Sequence, residues 1–594
     1  MALEAPSRSR EGPGQRTIND LWERAASEAR HPAFLTKEGG VWREVGWGEA
    51  RERVDHLAAG FLALGLRKGD CVAILSRTRL EWTLCDYAVA SIGAVVIPIY
   101  PTSSKHECSY LLSDSSARAL VCEDEEQLGK VRDLAGELPA LEHTIVFDAA
   151  EGARPLSEIT ELGRAHLDAN PQALVDARGH VSESDTLTYI YTSGTTGNPK
   201  GCVLSHRNWH AVVDSIRRTE GLMVPGDVVL LFLPLAHNFA RLVQFAGAGI
   251  GFTVAFCPDV VQVPRALTEV RPTVFPSVPR LFETVHGNVR SRFEGAEGAQ
   301  RRIVDRALSV GRRVAARRER GKRVSPLLAL QFRLADRLVY SKVKERLGGR
   351  LRLAISGGAP LSKEIIEFFA AVDVLILEGY GLTETTSGCA LNRPDRYRFG
   401  TVGPALPGIE IELAADGEIL VRGDTIFQGY HGKDEATAEV LTEDGWLLTG
   451  DIGTIEDGFV TITDRKKELI VTAGGKNVSP QNLENALKAT GYVSQALVIG
   501  DNRPHIVALV CPDRVKVAKV AKTEDEVREL IAKAVEEVNS NLGPVEQIRR
   551  FAVLPREFSA EEGEVTPTLK LKRRVCEEHF RDEIEELYGS RKRA

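Results

Sequence analysis

The feature that most constrains this chain is a repeated alternation of short apolar runs with stretches of helical periodicity. CVAIL (71–75), AVVIPIY (94–100), LVC (120–122), TIVF (144–147), TLTYIYT (186–192), VVLLFLP (228–234), RLAIS (352–356) and VLILEGY (374–380) have the length and content of buried strands. Between them lie helical stretches, including 80–92 and the segment in which Val54, Leu57, Phe61 and Leu62 recur at three-to-four spacing before Gly65. Parallel strands need crossover connections, and helices between apolar strands supply them. The pattern predicts an α/β fold, a large N-terminal domain of layered sheets that are mainly parallel.

The texture changes near residue 400. GEILVRG (417–423), GWLLTGD (445–451) and GFVTITD (458–464) are short strands between Gly and Asp turns, which predicts a β-rich subdomain over about 400–465. The charged junction DRKKE (464–468) is the expected domain boundary. Beyond it, ELIVTA, PQNLENALKA, QALVIGD, HIVALVC and DEVRELIAKAVEEVNSNL read as strand, helix, two strands and helix, a small α+β domain over 466–594. Residues 1–16 are polar and rich in Pro, Gly and Arg, and are expected to form a flexible tail ahead of the 17–465 domain.

Charge and cysteine usage narrow the functional classes. With 76 Lys and Arg against 83 Asp and Glu, the net charge of −7 gives no general reason to bind nucleic acid. The nine cysteines are scattered, none in a CxxC pair, as expected of reduced thiols. MALEAPSRSREGPGQR has no apolar core for a signal peptide, and VVLLFLPLA (228–236) and FAGAGIGFTVAF (245–256) fall short of the roughly 20 residues of a membrane span. These observations predict a soluble, cytoplasmic protein. One local exception is the stretch from Arg301 to Arg323, with ten basic residues and two acids, Asp305 and Glu319. Ile303, Ala307, Val310 and Val314 run along one side at helical spacing. The segment reads as a solvated helix face or as a patch for a membrane surface or acidic ligand.

The densest chemistry is YTSGTTGNPKG (191–201), directly after the strand TLTYI. Thr192, Ser193, Thr195 and Thr196 offer hydroxyls, Gly194 and Gly197 let backbone N–H groups approach an anion, and Lys200 adds charge. That set suits a polyphosphate. Pro199 stands five residues after Gly194 and no GK[ST] occurs here, so the loop is not that of a P-loop kinase or GTPase. SGGAPL (356–361) ends a strand in a turn of Gly357, Gly358, Ala359 and Pro360, against which a flat ring could lie. EGYGLTETT (378–386) combines an aromatic, glycines, hydroxyls and a carboxylate, and TGD (449–451) offers Asp451, whose two oxygens suit paired hydroxyls. His237 in LPLAHNFAR follows an apolar strand, a setting more often structural than catalytic. The small residues of FAGAGIGF either leave room for an alkyl chain or serve tight packing.

In this order the motifs resemble those of the adenylate-forming, AMP-binding superfamily, which includes acyl-CoA synthetases, luciferases and peptide-synthetase adenylation domains. The likeness spans roughly residues 20 to 590, and LPLAHNFAR, GGKNVSP and TPTLKLKR look most like bacterial long-chain fatty acyl-CoA synthetases. The resemblance implies that ATP sits against Thr192–Lys200, Gly357–Pro360 and Glu378–Leu382. Tyr380 would stack near adenine, Thr383 would touch phosphate, and Thr192 and Glu384 would hold Mg²⁺. Asp451 and Arg465 would bind ribose. His237 would line the acyl pocket without acid–base work, Lys467 would be the hinge of the mobile C-terminal domain, and Gly474 and Gly475 would shape the thiol tunnel. TPTLKLKRR (566–574) departs from the family pattern at Leu569, where glycine is usual. Aligning its trailing basic pair puts the catalytic lysine at Lys570, with Lys572 as the alternative. The implied activity is that of a long-chain fatty acid–CoA ligase, which uses fatty acid, ATP and coenzyme A by way of an acyl-adenylate. The alternative is a fatty acyl-AMP ligase or another carboxylic-acid-activating ligase. Peripheral contact with a membrane is compatible with the basic segment.

Overall fold

The computed structural model describes residues 16–589 apart from 193–197, 467, 469, 472–476, 502, 541, 545, 560 and 566–570. Two large sheets organise the N-terminal part. One has seven strands in the order Arg154–Pro155, His143–Val146, Ala119–Cys122, Cys71–Leu75, Val95–Ile99, Thr186–Thr192 and Lys200–Ser205, all parallel to their neighbours except the last pair. The other has eight, in the order Ser387–Leu391, Ile376–Leu382, Leu353–Ser356, Val274–Ser277, Val228–Leu231, Thr253–Phe256, Phe34–Glu38 and Val41–Val45. Its six inner strands are parallel and each edge strand is antiparallel. The α/β expectation holds. The strands CVAIL, VVIPI and ALVC are buried at every residue, which is why they show no polar alternation.

Two helices fill the space between the sheets. Leu80–Ser91 is buried on all sides and packs on Val95–Ile99, and Asn238–Ile250 packs on Thr253–Phe256 and Ser387–Leu391. A helix with no polar face belongs in such a layer. The two meet through a buried ion pair. Arg241 Nη2 lies 2.6 Å from Asp86 Oδ1, Arg241 Nε donates to Asp86 Oδ2 at 3.1 Å, and Gln244 Nε2 donates to the same oxygen at 2.7 Å. The remaining guanidinium arm donates to Thr188 Oγ1 at 2.8 Å, in the strand Thr186–Thr192. The Trp82, Trp209 and Phe245 rings surround the cation at 5.2–5.6 Å. Two glycines of FAGAGIGF serve close approach: a Cβ on Gly249 would meet Val213 Cγ1 at 2.3 Å, and one on Gly247 would meet Val254 Cγ2 at 3.2 Å.

An antiparallel four-stranded sheet follows, Ile409–Leu413, Glu418–Gly423, Leu447–Glu456 and Phe459–Arg465 in chain order. Beyond it, the strands Val493–Ile499, Ile506–Pro512 and Ile548–Val553 form a three-stranded sheet, covered by Pro480–Ala489 and Glu524–Asn539. Buried apolar residues from Ile470 onward cluster only with one another. Among the described residues, no helix is long and apolar enough to cross a membrane.

The basic segment is the helix Gly298–Glu319, but its buried side departs from the expected stripe. Ala307, Val310 and Val314 are buried with Val304, while Ile303 is 47 % exposed. The reason is Gly311, where a Cβ would meet the Ala371 carbonyl oxygen at 1.8 Å. The line of closest contact with the helix Lys363–Ala371 passes through 311, and two turns earlier that line falls on 304.

Removing Asp86 would strand a buried guanidinium. Asp86→Ala should therefore cost about 3–5 kcal/mol in denaturant unfolding, whereas the double variant Asp86→Leu with Arg241→Met should recover most of that loss. Independent, additive losses would show that the pair does not act as a unit.

Candidate active site

The sheet carrying the candidate residues runs its parallel strands toward one edge, the side where open α/β sheets bind ligands. Leu353–Ser356 and Ile376–Leu382 are parallel neighbours, with Ser356 opposite Glu378, so the turn at Gly357–Pro360 and the run Gly379–Leu382 leave the sheet together. Gly358 takes a left-handed φ of 83°, and a Cβ on Gly381 would meet the Ser387 carbonyl oxygen at 1.6 Å. Only glycine permits that hairpin. Its turn holds Thr386 and Ser387 at φ of 53° and 91°. Thr386 Oγ1 donates to the Thr425 carbonyl at 2.6 Å, and the Glu384 carbonyl accepts from Phe427 N at 2.9 Å, so the strained turn is pinned from outside. Thr383 belongs to the same turn, its carbonyl accepting from Thr386 N at 3.0 Å.

The four-stranded sheet brings Asp451 and Arg465 opposite each other on adjacent strands. Arg465 Nε lies 3.0 Å from Asp451 Oδ1, and Tyr380 donates its hydroxyl to Asp451 Oδ2 at 2.6 Å. Each carboxylate oxygen keeps a further lone pair for an incoming hydroxyl. Glu378, buried at the floor, accepts from Leu361 N at 3.3 Å; burial pushes its carboxyl up to about 8, so it is protonated at neutral pH. Gly358–Pro360, Tyr380, Asp451 and Arg465 line a cavity of about 1060 Å³, to which Asn482, Ala486 and Thr490 also contribute.

Thr192 and Lys200 face each other at the ends of the antiparallel strands Thr186–Thr192 and Lys200–Ser205. Residues 428–431 add alongside that hairpin, with Val203 N donating to Gly429 O at 2.9 Å and His431 N to Gly201 O at 2.8 Å. The addition delivers Tyr430, whose hydroxyl donates to Glu384 Oε1 at 2.7 Å while Lys200 Nζ sits 5.0 Å from the Tyr430 ring centre. Burial pushes the Cys202 thiol up, with the Glu384 charge adding to that push and Thr192 opposing it. The structure thus gathers Thr192, Lys200 and Glu384 at one end of the site. Among the described residues, no three His, Cys, Asp or Glu side chains converge on a cation position. One carboxylate and one hydroxyl instead match a hard cation that completes its shell with phosphate and water.

His237 caps the helix Asn238–Ile250, its Nδ1 accepting from Phe239 N at 3.1 Å. Desolvation lowers it to about 4, so the ring is neutral. It lines a second, apolar cavity of about 80 Å³ with Met223, Phe239, Leu242, Val243 and Ala246. That cavity shares Gly358, Gly379, Tyr380 and Gly381 with the larger one. Ser193, Gly194, Thr195, Thr196, Gly197, Lys467, Gly474, Gly475 and Lys570 lie outside the described residues. Sequence reasoning missed Tyr430; its only local signal was an aromatic residue between Gly429 and Gly432.

The arrangement is one of glycine-rich strand ends that open onto a large cavity beside an apolar slot. The chain belongs to the AMP-binding enzyme family: the family model matches residues 21–431, and that of the AMP-binding enzyme C-terminal domain matches 467–592. It is 40 % identical over 93 % of both chains to the long-chain-fatty-acid–CoA ligase FadD15 of Mycobacterium bovis. It is also 32 % identical to the human long-chain-fatty-acid–CoA ligase ACSBG1, over 93 % of this chain and 82 % of that one. Among solved structures, the adenylation domain of a carboxylate reductase from Mycobacterium chelonae superposes with a TM-score of 0.75. It covers 98 % of this chain and 92 % of that one at 23 % identity, a likeness of fold.

A protonated Glu378 has a measurable signature. The unfolded chain releases this proton near 4.5 and the folded chain near 8, so the folded state binds more proton between those values and loses stability as pH rises through them. Glu378→Gln is neutral at every pH. The melting temperature of the variant minus that of the parent should increase from pH 5 to pH 8, and a pH-independent difference would count against the protonated carboxyl.

Proposed function

We propose that this chain is a long-chain fatty acid–CoA ligase that joins a fatty acid to ATP as an acyl-adenylate and then passes the acyl group to the thiol of coenzyme A. The observation that carries the reading is the junction of the two cavities at Gly358, Gly379, Tyr380 and Gly381. A nucleotide in the larger cavity and an alkyl chain in the apolar one would meet there with carboxylate beside α-phosphate. The identity to long-chain-fatty-acid–CoA ligases over most of the chain supports the same substrate.

A carboxylate is a poor acyl donor, because its charge repels nucleophiles and oxide leaves badly. In the first step a carboxylate oxygen attacks the α-phosphorus and the bond to pyrophosphate breaks. In the second the thiol attacks the acyl carbon and AMP leaves. The protein's work is placement and charge. Tyr380 and the Gly357–Pro360 turn hold the base, while Asp451 and Arg465 hold the ribose. Thr192–Lys200 cradles the β- and γ-phosphates, with Thr383 at the phosphate. Thr192 and Glu384 are the residues that would hold Mg²⁺, which neutralises phosphate charge when bound. Lys570 bridges carboxylate and α-phosphate as charge builds, and Lys467 is the pivot about which residues 466–594 turn to withdraw Lys570 and bring Gly474 and Gly475 to the thiol path. His237, neutral and half-buried, lines the acyl slot.

The test is mass-spectrometric product analysis with palmitate, Mg-ATP and purified protein, with and without coenzyme A. Palmitoyl-CoA and AMP are expected in the complete mixture. Acyl-AMP that accumulates and ignores coenzyme A would identify a carrier-loading ligase instead, and neither product would move the substrate to another acid. Lys570→Ala should slow adenylation by about 100-fold or more while sparing thioester formation from supplied acyl-adenylate. Equal loss in both half-reactions would move the role to Lys572 or to general folding.

A further inference from the structure

Residues 298–346 form an antiparallel helical hairpin on the outside of the large domain, the helices Gly298–Glu319 and Pro326–Ala335 joined by a short turn and continued to Arg346. Its inner face is conventional: Arg318 stacks on Phe332 at 4.9 Å and pairs with Asp373, and Tyr340 donates to the Ala307 carbonyl. Its outer face is not. Leu327, Leu330, Leu334 and Leu338 are 68 %, 65 %, 60 % and 46 % exposed, and their spacing places them on one narrow stripe. Soluble surfaces carry scattered apolar side chains, but four leucines in one row mark a contact.

The flanks of that row identify the contact. Arg333 and Arg337 border it on the same helix, both exposed. On the neighbouring helix Arg302, Arg306 and Arg313 are exposed and pair with no described acid. From 298 to 346 the chain has fifteen Lys and Arg against four Asp and Glu, in a protein whose net charge is −7. A second copy of this face would bring like charge onto like charge. A partner that accepts leucine side chains and also offers spread negative charge is the headgroup boundary of an anionic lipid bilayer.

We infer that the hairpin 298–346 is a membrane-docking element, in which Leu327, Leu330, Leu334 and Leu338 enter the headgroup region and the surrounding arginines hold anionic lipid. The inference goes beyond the catalytic reading and does not rest on it. It has one geometric consequence for the site: the other side of the arginine helix, at Val304, Leu308 and Arg312, lines the large cavity. Docking therefore sets one wall of that cavity one helix away from the bilayer.

The test is co-sedimentation of the full chain with vesicles of phosphatidylcholine alone or mixed with phosphatidylglycerol, at low and high salt. The protein is expected to pellet with the mixed vesicles, less so at high salt, and to stay in solution with phosphatidylcholine alone. Leu330→Ser with Leu334→Ser, and separately Arg333→Gln with Arg337→Gln, should each weaken binding by about tenfold. All four positions are exposed, so melting temperatures should match the parent; if one double variant melts early, the other carries the test. Absence of binding to the mixed vesicles, or binding that both stable variants retain, would overturn the inference. So would a leucine variant that turns a dimer into a monomer by light scattering without changing vesicle binding, which would assign the stripe to self-association.

Discussion

The Asp86–Arg241 pair is the interaction on which the site's geometry depends. It joins the two helices between the sheets, and through Thr188 it reaches the strand that ends at Thr192. Thr188 in turn donates to the Val96 carbonyl at 2.6 Å, which ties the guanidinium to two strands of the seven-stranded sheet. A buried pair like this adds little net stability over an apolar substitute, because desolvation offsets most of the attraction. What it adds here is registry. A bidentate, fully hydrogen-bonded guanidinium admits one relative position of its partners, whereas leucines would allow several. The helix capped by His237 is thereby fixed relative to the strand that ends at Thr192.

The same logic is repeated at smaller scale around the larger cavity. Asp451 is shared by Tyr380 from the eight-stranded sheet and Arg465 from the four-stranded one, so a single carboxylate locks two sheets together. Glu384 is likewise held by Tyr430, delivered by a segment that itself pairs with the Thr192–Lys200 hairpin. Each of these polar groups is a cross-link before any substrate arrives. A ligand that takes their spare lone pairs then binds to a frame already assembled, with little ordering cost left to meet.

What the sequence revealed follows from how local each feature is. Parallel sheets were legible because strands buried on both faces must be apolar throughout, and the phosphate loop because hydroxyls, glycines and a lysine crowd one short stretch. Glu384 and Asp451 were legible within motifs. Their partners were not: Tyr430 stands 46 residues from Glu384, and Arg241 stands 155 from Asp86. Nothing in a linear pattern marks an arginine that will be buried. The Ile303 reading failed for a related reason, since 303 and 304 both fit helical spacing with 307 and only the contact at Gly311 separates them. Leu327, Leu330, Leu334 and Leu338 have the spacing of a core stripe, and only their exposure in the fold distinguishes the two.

The two cavities differ in what their walls are made of, and that difference bears on specificity. Where the two cavities meet, at Gly358 and Gly379–Gly381, the wall is closely packed main chain that cannot repack. The apolar side is built from side chains, Met223, Phe239, Leu242 and Val243 among them, with Phe239 resting 3.4 Å from where a Gly357 Cβ would stand. Its volume of about 80 Å³ is below the roughly 300–1,000 Å³ of an occupied ligand pocket. Rotation of those side chains is the inexpensive way to enlarge it, since methionine and leucine change rotamer without moving the sheet. Such a construction keeps the reacting end of a substrate at one fixed position while its length is accommodated elsewhere. Adenylate chemistry needs that separation, because misplacement at the α-phosphate costs rate steeply whereas slack along an alkyl chain costs only contact area.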